Sequence, residues 1–294
     1  MNNISRLVVT IVAFVAVAIA VAACSPLAVV DALTPSDTYV ATEHIAYGID
    51  PRHTLDVYAP PARDAGAGYP VVLFIHGGTW VSGDRRDYRF IGEALASRGI
   101  VTVVANYRLY PQVRYPDFLA DSARAAAWVK REISRYGGDT ARFFVMGHSS
   151  GAYNAAMLAL DQRWLAAEGL APSVFAGWIG LAGPYEFLPM TNVDAQPVFF
   201  HPHYPPGTQP VDYVTRAAPP AFLGAAQTDD VVNPERNTRQ LADKLRVAGA
   251  PVTLRIYPKA NHYTMIGVFA RPLRSLEPVL DDVVAFVRGD RAAR

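Results

Sequence analysis

From residue 71 to residue 287 the chain alternates between short apolar runs and longer stretches with helical spacing. The runs at 71–75, 100–105, 142–146, 174–181, 221–225 and 252–257 have the length and apolar character of strands. The stretches at 91–98, 118–136, 152–160, 235–247 and 276–287 read as helices. Gly99, Gly137-Gly138 and Gly249 mark three of their ends. The strand runs are apolar throughout and do not alternate with polar residues, which is the pattern of strands covered on both faces. The sequence therefore predicts an α/β protein with a mostly parallel central sheet flanked by helices. In such sheets ligands bind at the carboxyl ends of the strands, so the loops after each run are the places to look for chemistry.

Two extended stretches come first, at 39–47 and 54–58. Their β-branched and aromatic content predicts an antiparallel hairpin at the edge of the sheet. One segment breaks the rhythm. Residues 184–213 are rich in Pro, His and aromatics with no clear period, and read as a small irregular cap. The composition, 51% hydrophobic and 18% charged, suits a large core, and α/β folds often use this many residues in one domain, here over residues 37–294.

The first residues read differently. Arg6 precedes an apolar run from residue 7 to residue 23, broken only by Thr10 and closing on small residues, as in a secretory signal covering 1–23. A run approaching ~18 residues could also be a membrane helix. Val21-Ala22-Ala23-Cys24 resembles the bacterial lipobox, in which the cysteine is lipidated. Cys24 is the only cysteine in the chain, and residues 24–36 read as a tether. The expectation is an exported lipoprotein, anchored through Cys24 and facing the periplasm or cell exterior. Removing residues 1–23 takes away only Arg6, which leaves acidic and basic side chains equal in number. No like-charge run stands out, so nothing points to nucleic acid or a polyanionic substrate.

Gly147-His148-Ser149-Ser150-Gly151 lies where the predicted strand 142–146 turns into a helix. A turn this sharp lifts the central side chain out of the backbone, and the flanking glycines avoid collisions with neighbouring elements. Ser149 is the candidate nucleophile. His76-Gly77-Gly78-Thr79-Trp80 directly follows the strand 71–75. Acyl transfer builds negative charge on the carbonyl oxygen, which preorganised amides can stabilise. The proposed donors are Gly77, Gly78 and Ser150. His76 is read as shaping this loop, and Trp80 as either lining a pocket or filling the core.

The order of 71–80, Asn106-Tyr107-Arg108-Leu109-Tyr110-Pro111, Tyr115-Pro116 and the elbow resembles the α/β-hydrolase carboxylesterases. Within them it resembles the hormone-sensitive-lipase-like and feruloyl-esterase-like group, with kynurenine formamidases as close relatives. The resemblance covers roughly residues 50–288. His148 stands where the hormone-sensitive branch usually has Asp, which points to the feruloyl-esterase-like and formamidase side. The family's order is Ser, acid, His. For the acid, the family pattern Asp-x-x-Val fits Asp229 through Val232 and fails from Asp230, so Asp229 is preferred. For the base, His262 follows the last predicted strand after a short loop. His201 and His203 lie in the irregular segment and make a poor metal pair without a third ligand, so no metal is expected.

The resemblance thus implies a serine hydrolase with a Ser149–His262–Asp229 triad, an acyl-enzyme intermediate and no cofactor. It is expected to cleave small, short-chain carboxylic esters. An amide or formamide hydrolase of the same fold stays open, although an export signal argues against a cytosolic formamidase. A peptidase would usually carry a large accessory domain. A catalytically silent binding lipoprotein is the remaining alternative.

Overall fold

A computed structural model describes residues 30, 33–61 and 68–290. The predicted signal over 1–23 and Cys24 lie outside the described residues, as does most of the start of the tether. Eight strands form one sheet: β1 (Val40–Ala46), β2 (Thr54–Ala59), β3 (Tyr69–Ile75), β4 (Val101–Ala105), β5 (Gly138–His148), β6 (Gly177–Leu181), β7 (Ala221–Ala226) and β8 (Val252–Tyr257). Their spatial order is β1-β2-β4-β3-β5-β6-β7-β8. β1 pairs antiparallel with β2 at the edge, and β2 antiparallel with β4. Every pairing from β4 through β8 is parallel. The edge hairpin and the parallel sheet thus follow the sequence pattern.

Helices cover both faces: α1 (Arg89–Ala96), α2 (Asp117–Glu132), α3 (Ser150–Leu160), α4 (Gln162–Ala166), α5 (Gln240–Ala248), α6 (Thr264–Gly267) and α7 (Val279–Arg288). Alternate residues of β3 face opposite layers, because side chains in a strand point to opposite sides in turn. Val71, Leu73 and Ile75 pack with residues of α2, α3 and α5. Val72 and Phe74 pack with residues of α1 and α7. Fully buried Val, Leu, Ile and Phe side chains each contribute about 1.5–3 kcal/mol of transfer free energy. The two layers are therefore what fixes the register of the sheet.

Boundaries shift where proline and local geometry intervene. The strand expected at 174–181 begins at Gly177, because Pro172–Val174 forms a 3-10 turn with proline at its start. The helix expected from 235 opens as a wide π turn over Glu235–Arg239 before α5. The last helix begins at Val279, immediately after Pro278. The irregular segment 184–213 packs closely. Phe199 is buried, with its ring 4.9 Å from that of Trp80, 5.1 Å from Phe187 and 5.7 Å from Tyr153. Among the described residues no helix is long and apolar enough to cross a membrane.

Candidate active site

At the carboxyl end of β5 the chain turns into α3 through Ser149, whose φ of 54° and ψ of −124° place it in a strained region for a non-glycine residue. The strain is held by close packing on either side. A Cβ on Gly147 would sit 2.1 Å from the Gly151 carbonyl oxygen, and one on Gly151 would sit 2.0 Å from the Ile75 oxygen. The Ser149 amide is tied to the Leu181 carbonyl of β6 at 2.9 Å. The hydroxyl therefore projects from a fixed backbone.

His262 and Asp229 arrive from the loops after β8 and β7. His262 Nε2 lies 3.0 Å from Ser149 Oγ, and His262 Nδ1 lies 2.8 Å from Asp229 Oδ2. An ionised carboxylate only accepts, so Nδ1 carries the proton and Nε2 is left to accept from the hydroxyl. Asp229 Oδ1 accepts the amides of Val231 and Val232 at 2.9 and 2.8 Å. Burial alone would raise the Asp229 pKa. The His262 hydrogen bond and charge, with the two amides, outweigh it and hold the carboxyl below its ordinary range. Asp230 is exposed, so of the two adjacent carboxylates it is Asp229 that the fold brings to His262.

His148 has a partner that the motif alone did not suggest. Its Nε2 lies 2.9 Å from the His262 backbone carbonyl, which can only accept, so Nε2 bears the hydrogen. Burial, then the positive field of His262, pull the His148 pKa down to about 3. The ring is therefore neutral at pH 7, and it joins the elbow to the loop that carries His262.

In the loop after β3, His76 is fully buried. It bonds the Gly77 carbonyl through Nδ1 at 2.8 Å and stacks on Tyr107 at 4.5 Å. Burial pulls its pKa down to about 4. Gly78 and Thr79 both have positive φ, 121° and 58°, and it is Thr79 that reaches the cavity beside Ser149 and Ser150. That cavity measures about 420 Å³ and is also lined by Trp80, Glu186, Phe187 and Met190. Tyr185, next to Glu186 in the chain, is fully buried and does not line the cavity. A wider depression of about 720 Å³ around Val211 and Lys244 holds none of these groups. His201 Nδ1 bonds the Tyr204 hydroxyl at 2.6 Å, and no group of three or more metal-ligating side chains occurs among the described residues.

Known proteins share this arrangement of elements. An esterase from Pyrobaculum calidifontis superposes with a TM-score of 0.72 at 20% identity, covering 91% of both chains. A probable isoprenylcysteine alpha-carbonyl methylesterase of Oryza sativa subsp. japonica is 30% identical over 275 residues, covering 84% of this chain and 64% of its own. The esterase LipC of Mycobacterium tuberculosis is 32% identical over 248 residues, covering 76% of this chain and 60% of its own. The chain thus spans less than two thirds of the length of these relatives. Residues 55–245 match the BD-FAE family. The match begins in β2, takes in the glycine loop, the elbow and Asp229, and ends within α5. The motif resemblance to carboxylesterases therefore holds, and the chain belongs to the BD-FAE family and has the α/β-hydrolase fold.

Proposed function

We propose that the chain is a serine esterase that hydrolyses small carboxylic esters through an acyl-enzyme. The observation that carries this reading is the hydrogen-bonded series Asp229–His262–Ser149, with a strained serine opening into a cavity. His262 Nε2 takes the Ser149 proton as Oγ attacks the acyl carbon. The tetrahedral oxyanion is received by backbone amides of the glycine loop, Gly77 and Gly78, together with that of Ser150. The C–O bond to the alcohol then breaks, and His262 returns the proton to the departing oxygen. Water, deprotonated by His262, attacks the acyl-enzyme and frees the acid.

The cavity lies near the lower end of the roughly 300–1,000 Å³ usual for ligand sites, which supports small substrates. The test is labelling with an active-site-directed fluorophosphonate, followed by an acyl-chain series of nitrophenyl esters. Wild type is expected to label at Ser149 and to turn over acetyl and butyryl esters with higher kcat/KM than long-chain ones. Ser149→Ala is expected to lose labelling and about 10⁶-fold in kcat. Absence of labelling in folded wild type would sink the enzyme reading, and a preference for long chains would sink the size reading.

Export and lipid attachment at Cys24 belong to the same proposal and are supported by residues 6–24 alone. Wild type is expected to partition with membranes and Cys24→Ser to be released. Equal partitioning would remove the basis for the anchor.

A further inference from the structure

The cavity that receives Ser149 has a charged residue in its wall to which the proposed reaction gives no task. Glu186 follows β6, and its Oε2 is shut off from solvent with no donor among the described residues. A buried carboxylate oxygen without a partner is costly, and folds normally satisfy such a group or keep it neutral. Here the backbone that carries it is unusually fixed. The Tyr185 and Glu186 amides both donate to Asn237 Oδ1, at 2.7 and 2.9 Å. The Phe187 and Leu188 amides both donate to Gln209 Oε1, each at 3.0 Å. Arg236 adds a hydrogen bond to the Leu188 carbonyl. Asn237 is itself buried and anchored through Nδ2 to the Asn233 carbonyl at 3.0 Å. Four consecutive amides are thus held by two side chains, one 51 to 52 and the other 21 to 22 residues further along the chain. A carboxylate carried on a backbone held this firmly, in the wall of the cavity that also receives Ser149, is placed as a recognition group.

On the esterase reading above, we infer that Glu186 is the specificity-determining residue. Its carboxylate accepts a hydrogen bond from a hydroxyl carried by the substrate, so that hydroxylated esters are selected over alkyl esters of the same size. The other charges in the wall narrow the chemistry. Arg236 lines the same cavity and disfavours a permanent cation, while Asp230 together with Glu186 disfavours an anion. Asn192 offers a neutral partner for a second hydroxyl, and Phe187 offers apolar contact for the carbon skeleton. A site built to hydrogen-bond a substrate hydroxyl rejects the analogue that lacks it, because its own polar group is then left unpaired.

The test compares kcat/KM for glycerol 1-butyrate, pentyl butyrate and butyrylcholine in wild type, Glu186→Gln and Glu186→Leu. Fluorophosphonate labelling of Ser149 is measured in each. Wild type is expected to prefer the glycerol ester. Glu186→Leu is expected to lower the glycerol-to-pentyl ratio by roughly 10- to 100-fold, the range for one hydrogen bond to a charged group. Glu186→Gln, which keeps an acceptor oxygen and the side-chain shape, is expected to fall between the two. It decides the matter if Glu186→Leu fails to label. An unchanged ratio in variants that still label overturns the role of Glu186 and leaves the esterase reading standing. A wild type that prefers butyrylcholine to both other esters overturns the hydroxyl assignment in favour of a cation. Loss of labelling in wild type strikes the esterase reading itself.

Discussion

At the scale of single residues, the candidate site depends on a histidine that does no chemistry. His148 is held neutral and donates to the His262 carbonyl at 2.9 Å, so the same pentapeptide that presents Ser149 also sets the loop carrying the base. The two rings lie 5.0 Å apart, close enough that a shift in one loop displaces the other. Misplacement of a reacting group by about 1 Å can cost on the order of 100-fold in rate. His148→Ala is therefore expected to lower kcat for nitrophenyl butyrate by roughly 10- to 100-fold with little change in KM. His148→Gln, whose side-chain amide can donate, should recover part of the loss. Steady-state kinetics of both variants checks this, and equal losses in the two would mean that the hydrogen bond is not what matters. Ser149, Asp229 and His262 could be named from the sequence because each lies in a loop after a predicted strand, with the resembled family's residue order and Asp-x-x-Val pattern choosing Asp229 over Asp230. The partnership of His148 could not, since its partner is a backbone carbonyl 114 residues further along the chain, which no motif announces.

At the scale of elements, the strand–turn–helix from β5 to α3 fits against β3 with no spare room. A methyl on Gly151 would meet the Ile75 carbonyl oxygen at 2.0 Å and the His76 oxygen at 2.6 Å. Backbone atoms within two central strands and their loop cannot retreat as a flexible side chain can. Gly151→Ala is thus expected to cost more than about 3 kcal/mol of stability, beyond the usual range for overpacking. Denaturant unfolding measures it directly, and a loss under 1 kcal/mol would show that α3 has freedom the packing does not suggest. Elements such as β3 and β4 could be read from sequence because their burial on both faces forces unbroken apolar runs. The start of β6 and the π turn at Glu235–Arg239 could not, because local turn geometry overrides the hydrophobic pattern there. The holding of residues 185–188 was equally hidden. Asn237 and Gln209 lie far along the chain, and an amide side chain accepting two backbone hydrogens leaves no periodic trace.

Across the whole molecule, two buried neutral histidines couple the site to acid stability. His148 and His76 are held down to about 3 and about 4 by burial, against ~6.5 in an unfolded chain. Below pH ~6.5 the unfolded state therefore takes up protons that the folded state refuses. Stability contributed by the neutral rings is present above that pH and is lost as the pH falls towards 4. Each histidine adds at most about 1.4 kcal/mol per pH unit to the slope, so the pair adds up to about 2.7. The Asp229 carboxyl, depressed in the fold, adds its own loss only below ~3.9, the ordinary value for Asp, and so leaves this window to the histidines. Equal numbers of acidic and basic side chains after residue 23 keep general charge repulsion small as acidification begins. Denaturant melts of wild type and His76→Gln between pH 7 and pH 4.5 separate these contributions. The variant is expected to be less stable at pH 7, because the ring stacked on Tyr107 is gone, yet to lose stability less steeply, by about one proton's worth. Parallel pH profiles would mean that His76 is not the group being protonated, and that acid sensitivity arises elsewhere in the fold.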